Sequence, residues 1–207
     1  MKILSIEEGG EQGSTAWLRK RAMCITATDS SAINNTNPWT NPSDLYKMKL
    51  GLKLPPEMND KMRLGQTLEP EARAWLNNDT GLNFKPIVAL HDVNSWAMAS
   101  LDGYDADNDV ICEIKCPSSN KLFELAEEGT YPPYYYTQMQ KQLYVTGCYM
   151  CIFLIYRKID DKVITKIIDI FSDQEFIENM IENEKYFYEN YMSVMKDPED
   201  DMRIKLK

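Results

Sequence analysis

The sequence contains one histidine, His91, and five cysteines, and neither supply supports a chemistry of its own. Five thiols, at positions 24, 112, 116, 148 and 151, leave one unpaired, so no disulfide framework is expected. Cys148-x-x-Cys151 has the spacing of a zinc or iron–sulfur pair, but no second such pair exists and the lone histidine lies elsewhere. Residues 148–156 read as a buried strand, which makes plain buried thiols the favoured reading. Long apolar runs are also missing: the longest, around Cys148–Tyr156, is too short and interrupted to span a bilayer. The opening residues reach Glu7 and Glu8 before a signal core forms, so a soluble, cytosolic chain is expected. No repeat, linker or low-complexity tract divides the 207 residues, and a single domain over 1–207 is expected.

A surplus of positive charge is missing too. The formal net charge of -9 argues against a protein that coats nucleic acid, because neutralising phosphates needs a net basic surface. The charge is unevenly placed. Residues 171–201 hold ten acids against Lys185 and Lys196, whereas residues 1–63 hold nine Lys/Arg and seven acids, with Arg19-Lys20-Arg21 among them. A local basic groove is therefore compatible with the composition. So is an acidic pocket whose carboxylates are balanced by metal.

What is there is patterned. Helices are expected near Trp17–Arg21, Ser30–Asn34 and Leu45–Leu50, with breaks at Asn37-Pro38, Asn41-Pro42 and Leu54-Pro55-Pro56. Asn59–Asn78 carries Leu68, Ala72, Trp75 and Leu76 at helical spacing, and Pro70 is expected in a first turn or at a kink. The period then shifts to two, with strands at Phe84–Leu90, Ser95–Tyr104 and Val110–Cys116 and a hairpin loop at 105–109. Helices at Lys121–Glu128 and Tyr134–Thr146, strands at Cys148–Tyr156 and Val163–Phe171, and a helix from Asp173 to about Met195 complete the order. This is an α/β (α+β) arrangement, a central mixed sheet flanked by helices.

The informative stretch is the hairpin. Folded about Asp107, it sets Asp102 almost opposite Glu113, and neighbouring strands lie about 4.8 Å apart, so both carboxylates reach one hard cation. Alternation puts Glu113 and Lys115 on one face, with Cys112, Ile114 and Cys116 on an apolar other. An isolated Glu-x-Lys strand is ordinarily a half-solvated strand. The company changes the odds: Glu69 on a preceding helix offers a third carboxylate, and Gln138 and Gln140 lie on the helix that follows. Three carboxylates and a lysine suit Mg²⁺-assisted phosphodiester hydrolysis, with the lysine orienting or deprotonating water if desolvation lowers its pKa.

Ser100-Leu101-Asp102-Gly103 followed by Glu113-Ile114-Lys115-Cys116-Pro117 resembles the PD-(D/E)XK nuclease signature. Three further segments, in order, make the chain resemble the lambda exonuclease, or YqaJ-type viral recombinase, family. They are Trp17-Leu18-Arg19-Lys20-Arg21 leading to Ile25-Thr26-Ala27-Thr28; Gly65-Gln66-Thr67-Leu68-Glu69 with Ala72-Arg73; and Tyr136-Thr137-Gln138-Met139-Gln140 through Gly147. The resemblance implies a restriction-endonuclease-like core over about residues 14–171, with the acidic helix near 173–195 outside it. It implies a Mg²⁺-dependent 5′→3′ exonuclease on double-stranded DNA ends, with Mn²⁺ able to substitute and two ions per site. Such an enzyme releases mononucleotides and leaves 3′ overhangs for phage-type recombination by single-strand annealing.

By position, the resemblance makes Asp102 and Glu113 metal ligands, Lys115 the catalytic lysine, Glu69 an outer acid acting through water, and Gln138 a supporting polar group. The backbone carbonyl of Ile114 joins the metal ligands. Arg21 falls on the arginine that binds the 5′-phosphate, with Thr28 and Ser100 as hydroxyl partners. A single-strand annealing protein as partner, a homotrimer, no membrane, and the host cytoplasm for a phage-encoded chain are further implications. The chain departs from the pattern at Leu101, where a proline is usual, at Thr28, where a serine is usual, and at Pro70 beside Glu69. The competing readings are a PD-(D/E)XK endonuclease, a Cas4-like nuclease with an iron–sulfur cluster, and a catalytically silent DNA-end-binding scaffold.

Overall fold

The computed structural model describes residues 1–193. The chain runs β1 (Lys2–Ile3), α1 (Thr15–Met23), β2 (Ile25–Thr26), α2 (Ala27–Ile33), α3 (Pro42–Lys49) and α4 (Asp60–Thr80). The central strands follow: β3 (Lys85–Leu90), β4 (Ala97–Asp105) and β5 (Val110–Lys115). Then come α5 (Lys121–Glu127), α6 (Pro133–Thr146), β6 (Met150–Ile159), β7 (Lys162–Phe171) and α7 (Gln174–Phe187), which ends in a π-helical turn, Tyr188–Met192. The last helix expected from the sequence thus starts one residue after its N-cap, Asp173, whose carboxylate takes the Phe176 amide at 3.0 Å. Its expected end, Met195, lies outside the described residues.

The strands make one seven-stranded mixed sheet in the order β1-β3-β4-β5-β6-β7, with β2 added on β4. Among the described strands only β5–β6 and β2–β4 are parallel. A parallel pair needs a long crossover, and α5 and α6 supply it between β5 and β6. Both faces are covered. Ala72 and Leu76 of α4 pack with Phe84, Cys112, Ile114 and Leu154. Met139 and Leu143 of α6 pack with Leu101, Ile111, Phe153 and Ile155. The half-solvated strand that an isolated Glu-x-Lys predicts is therefore not what forms: β5 is buried on both sides. The core also starts before residue 14, because β1 pairs with β3.

β4 is shared along one edge by two partners. β2 takes Ala97 and Met98, and β5 takes Gly103 to Asp105, so Ala99–Asp102 have no strand partner on that side. The β4–β5 ladder stops at Gly103–Cys112, while β5 runs on to Lys115 against β6. The two strands fork at that point. Gly103 permits the close approach there, since a Cβ would lie 2.6 Å from Cys112 Sγ and 2.6 Å from Phe84 Cβ. At the other end of the hairpin the buried Asp105 carboxylate collects the Asn83, Asp107 and Asn108 amides and closes the acidic loop.

The helix over residues 60–80 passes through Pro70 without ending, so of the two places expected for this proline, a first turn or a kink, the first turn is excluded. A proline there leaves the Gln66 carbonyl without its helical partner. The burial of Ala72 and Leu76 holds the helix across the gap. α7 is tied to α6 and α2 by a fully buried polar cluster: Glu184 accepts from Lys141 and from Ser30 Oγ. The Lys141 ammonium also lies 4.8 Å from the Trp96 ring and 5.2 Å from Tyr144. Burial lowers the Lys141 pKa and raises that of Glu184 despite their mutual attraction. Desolvation here outweighs Coulomb gain, as is common for buried pairs. Glu184→Ala, which strands Lys141, is expected to lose about 3–5 kcal/mol of stability. Lys141→Met/Glu184→Leu is expected to recover most of that loss, with urea unfolding midpoints as the measurement.

Candidate active site

The fork holds the acids. Asp102 sits on β4 one step past the last ladder pair, and its Oδ2 accepts the Ile114 amide at 2.8 Å, a proton the ladder would otherwise have given to a carbonyl. Glu113, on the opposite arm, is 1% exposed. A carboxylate so buried needs donors on both oxygens. Oε1 takes the Lys115 ammonium and the Gln138 carboxamide, the latter at 2.7 Å, and Oε2 takes Gln142 Nε2 at 2.6 Å. Lys115 Nζ lies 5.1 Å from the Tyr135 ring of α6, a cation–π contact that braces it.

Gln142 was missed in the sequence, although it stands four residues after Gln138 and so on the same face of α6. Its Oε1 is buried without a partner. Turning the amide over would set that oxygen against the Glu113 carboxylate, so the observed sense is the better one.

Glu69 reaches the fork from α4, but its carboxylate is engaged by Arg73 one turn on. Arg73 Nε also donates to the backbone carbonyl of Asp102. One guanidinium thus ties the outer acid to the strand that carries the inner one. Arg73 appears in the sequence match without a role, and this bridge is the role the fold gives it.

The charges do not balance evenly. Burial, and then the Glu113 carboxylate, push Asp102 well above the usual carboxylate range, against the pull of Lys115 and the Ile114 amide. Burial also raises Glu69, although Arg73 opposes it. Lys115 goes the other way from expectation. Burial disfavours its charge, yet Glu113 and Asp102 together outweigh that and raise its pKa.

The three residues expected at a 5′-phosphate are grouped only in part. The Arg21 guanidinium lies 5.0 Å from the Trp17 ring, and Trp17 Nε1 donates to Ser100 Oγ at 3.0 Å. Ser100 is two residues before Asp102, so a tryptophan links the arginine to the strand that bears the acid. Thr28 is exposed in the first turn of α2. All five cysteines are free thiols, and Cys148 and Cys151 are buried. His91 Nδ1 accepts the Val93 and Asn94 amides at 3.2 and 3.0 Å, and its ring stacks on Tyr144, away from the acids.

Residues 16–149 match the YqaJ-like viral recombinase domain, a span that takes in α1, both arms of the fork and the whole of α6. The chain belongs to this family. The family fold is seen in an alkaline exonuclease, LHK-Exo, from Laribacter hongkongensis, which superposes with a TM-score of 0.71 at 25% identity over 94% of this chain and 100% of that one. The same enzyme in complex with dAMP gives a TM-score of 0.72 at 25% identity, covering 87% of this chain and 93% of that one. A phage-related exonuclease from Haemophilus somnus 129PT shares the fold, with a TM-score of 0.60 at 19% identity over 91% of each chain. Uncharacterized protein R354 of Acanthamoeba polyphaga mimivirus is 29% identical over 157 residues, or 70% of this chain. The chain spans 29% of that relative's length.

In this YqaJ-like domain, no three His, Cys, Asp or Glu side chains among the described residues are gathered closely enough to hold a metal as they stand. Glu69 is turned onto Arg73, and Glu113 is ringed by three donors. The donor chemistry nevertheless suits a hard divalent cation: Asp102 and Glu113 offer carboxylate oxygens crowded in a buried place. The neighbouring Cys116 thiol, pushed up to about 12 by burial, offers no thiolate. Among the described residues no helix is long and apolar enough to cross a membrane.

The raised Asp102 pKa has a stability consequence with a definite sign. An acid whose folded pKa lies above its unfolded value favours folding when protonated and opposes it once ionised. Asp102→Asn keeps an oxygen for the Ile114 amide and removes the charge. In metal-free buffer at pH 7 it is expected to be more stable than the parent, because the buried charge that burial and Glu113 disfavour is gone. The difference is expected to vanish as pH falls below the unfolded carboxylate pKa, which thermal midpoints across pH 3–8 (roughly the window of carboxylate linkage) will read.

Proposed function

We propose that the protein is a Mg²⁺-dependent 5′→3′ exonuclease on double-stranded DNA ends, releasing mononucleotides and leaving 3′ overhangs for a single-strand annealing partner. The observation that carries this reading is the fork itself. Asp102, Glu113 and Lys115 converge where the sheet opens, with Glu69 behind them. Membership of the YqaJ-like family and likeness to an alkaline exonuclease support it.

On this reading Asp102, Glu113 and the Ile114 carbonyl would hold the cation, with Glu69 supporting it through water. The cation, when bound, polarises a phosphate oxygen and lowers the pKa of a bound water. Lys115, kept protonated by its two acids, donates to the attacking water or the scissile phosphate and orients it. Gln138 and Gln142 fix the Glu113 carboxylate, and Tyr135 limits where the ammonium can swing. Arg21 receives the terminal phosphate, whose extra charge suits a planar guanidinium held beside an indole.

End-labelled linear duplex and closed circular duplex, each with and without Mg²⁺, test the class of activity. Linear DNA alone should be degraded, and only with the metal. Cutting of closed circles would favour an endonuclease, and DNA binding without cleavage a scaffold. Asp102→Ala and Glu113→Ala should reduce cleavage to background, and Lys115→Ala should slow it at least about a hundredfold. A second expectation concerns the end. Charge-assisted hydrogen bonds are worth about 1.5–3 kcal/mol, so a 5′-phosphorylated duplex should react roughly tenfold to a hundredfold faster than its 5′-hydroxyl twin. Arg21→Ala should erase most of that ratio, as initial rates at one fixed salt concentration will report.

A further inference from the structure

We infer that Lys49 is a positioning residue for the end pocket: its buried ammonium clamps the end of α1, which carries Arg21, to the start of α2, which carries Thr28. The inference rests on the end pocket proposed above. Lys49 closes α3, and its side chain is 4% exposed. A buried ammonium has three N–H groups to satisfy. They go to the carbonyl oxygens of Arg21 and Cys24 and to Asp29 Oδ2, each at 2.7 Å.

The first two acceptors lie in the last turn of α1 and at its C-cap, where helix carbonyls lack partners and a cation is favoured. The third lies in the first turn of α2. There Asp29 completes a capping box, also taking the Thr26 amide at 2.9 Å. One charge from a third helix therefore joins a helix C-terminus to a helix N-terminus.

Neutralising Asp29 would need one contact. It does not explain two more bonds of equal length to the backbone on either side of the α1 terminus. What those bonds fix is the backbone of Arg21 itself. They also fix the end of the helix from which Trp17 holds both the guanidinium and Ser100. Arg21 and Thr28 stand on different helices, so their spacing depends on this clamp and on the two-residue strand between them.

The test compares initial rates at limiting substrate on 5′-phosphorylated and 5′-hydroxyl ends of one duplex, for the parent, R21A, K49M and K49M/D29N. The ratio of the two rates cancels the fraction of folded enzyme, so a purely structural role does not move it. K49M leaves Asp29 buried without its cation. The double variant removes that charge and keeps the question open to measurement where the single variant does not fold. The parent ratio is expected at roughly tenfold or more. R21A, K49M and K49M/D29N should all fall to within about threefold of unity, with the thermal midpoint recovered in the double variant and the ratio not. A ratio kept at the parent value in either Lys49 variant, alongside its loss in R21A, overturns the inference and leaves the end pocket standing. Equal parent rates at both ends overturn the pocket and this inference together.

Discussion

The bond from the Ile114 amide to the Asp102 carboxylate organises this fold. Every buried amide needs an acceptor, and in a regular ladder Ile114 would find a carbonyl on β4. Here it finds a side chain, so the strands can part beyond Gly103–Cys112 without stranding a backbone donor. The other arm is held independently, because β5 continues on β6 through Lys115. Arg73 then takes the Asp102 carbonyl from the α4 side. The opening is thus a satisfied structure and not a defect. The acid on β4 stands there because it satisfies the Ile114 amide, whereas Glu113 on the other arm takes side-chain donors alone.

The electrostatics follow from how unevenly the donors are shared. Glu113 has a lysine and two glutamines, whereas Asp102 has one backbone amide. Three carboxylates, Asp102, Glu113 and Glu69, face two cations, Lys115 and Arg73, leaving the group one negative charge in excess. Low-dielectric surroundings make such an excess costly. It surfaces where donors are fewest, as the raised pKa of Asp102. A divalent cation would relieve the same excess, which is why the crowding of these acids fits the reading of a metal-dependent hydrolase.

Much of this could be read from the sequence, because the relevant signals are local. Alternation located β3, β4 and β5 to within about two residues, a normal error for element ends. The acidic loop at 105–109 fixed the turn, and with it the register that brings Asp102 to Glu113. The two-residue strands β1 and β2 have no period to detect. Pro70 lies inside the helix that the spacing of Leu68, Ala72, Trp75 and Leu76 predicts, because packing of Ala72 and Leu76 overrides propensity. Gln142 was legible in principle, from its spacing to Gln138. Lys49 and Lys141 were not: each is a charged residue near a helix end or on a helix face, and only tertiary contact distinguishes a buried one from a solvated one.

That last distinction changes what the acidic composition means. The described part of the acidic run after residue 171 is divided among separate tasks. Asp173 caps α7 and accepts the Tyr136 hydroxyl at 2.8 Å, and Glu184 lies in the core against Lys141. In the basic half, likewise, Lys49 is spent inside the molecule on Asp29 and two carbonyls. Charges neutralised in this way contribute little to the field outside. The formal charge of -9 is therefore a sum over groups that a DNA end would meet and groups it would not. The acids around Arg21 and Lys115 are already committed: Asp29 to Lys49, Glu113 to its three donors, Lys115 among them, and Glu69 to Arg73.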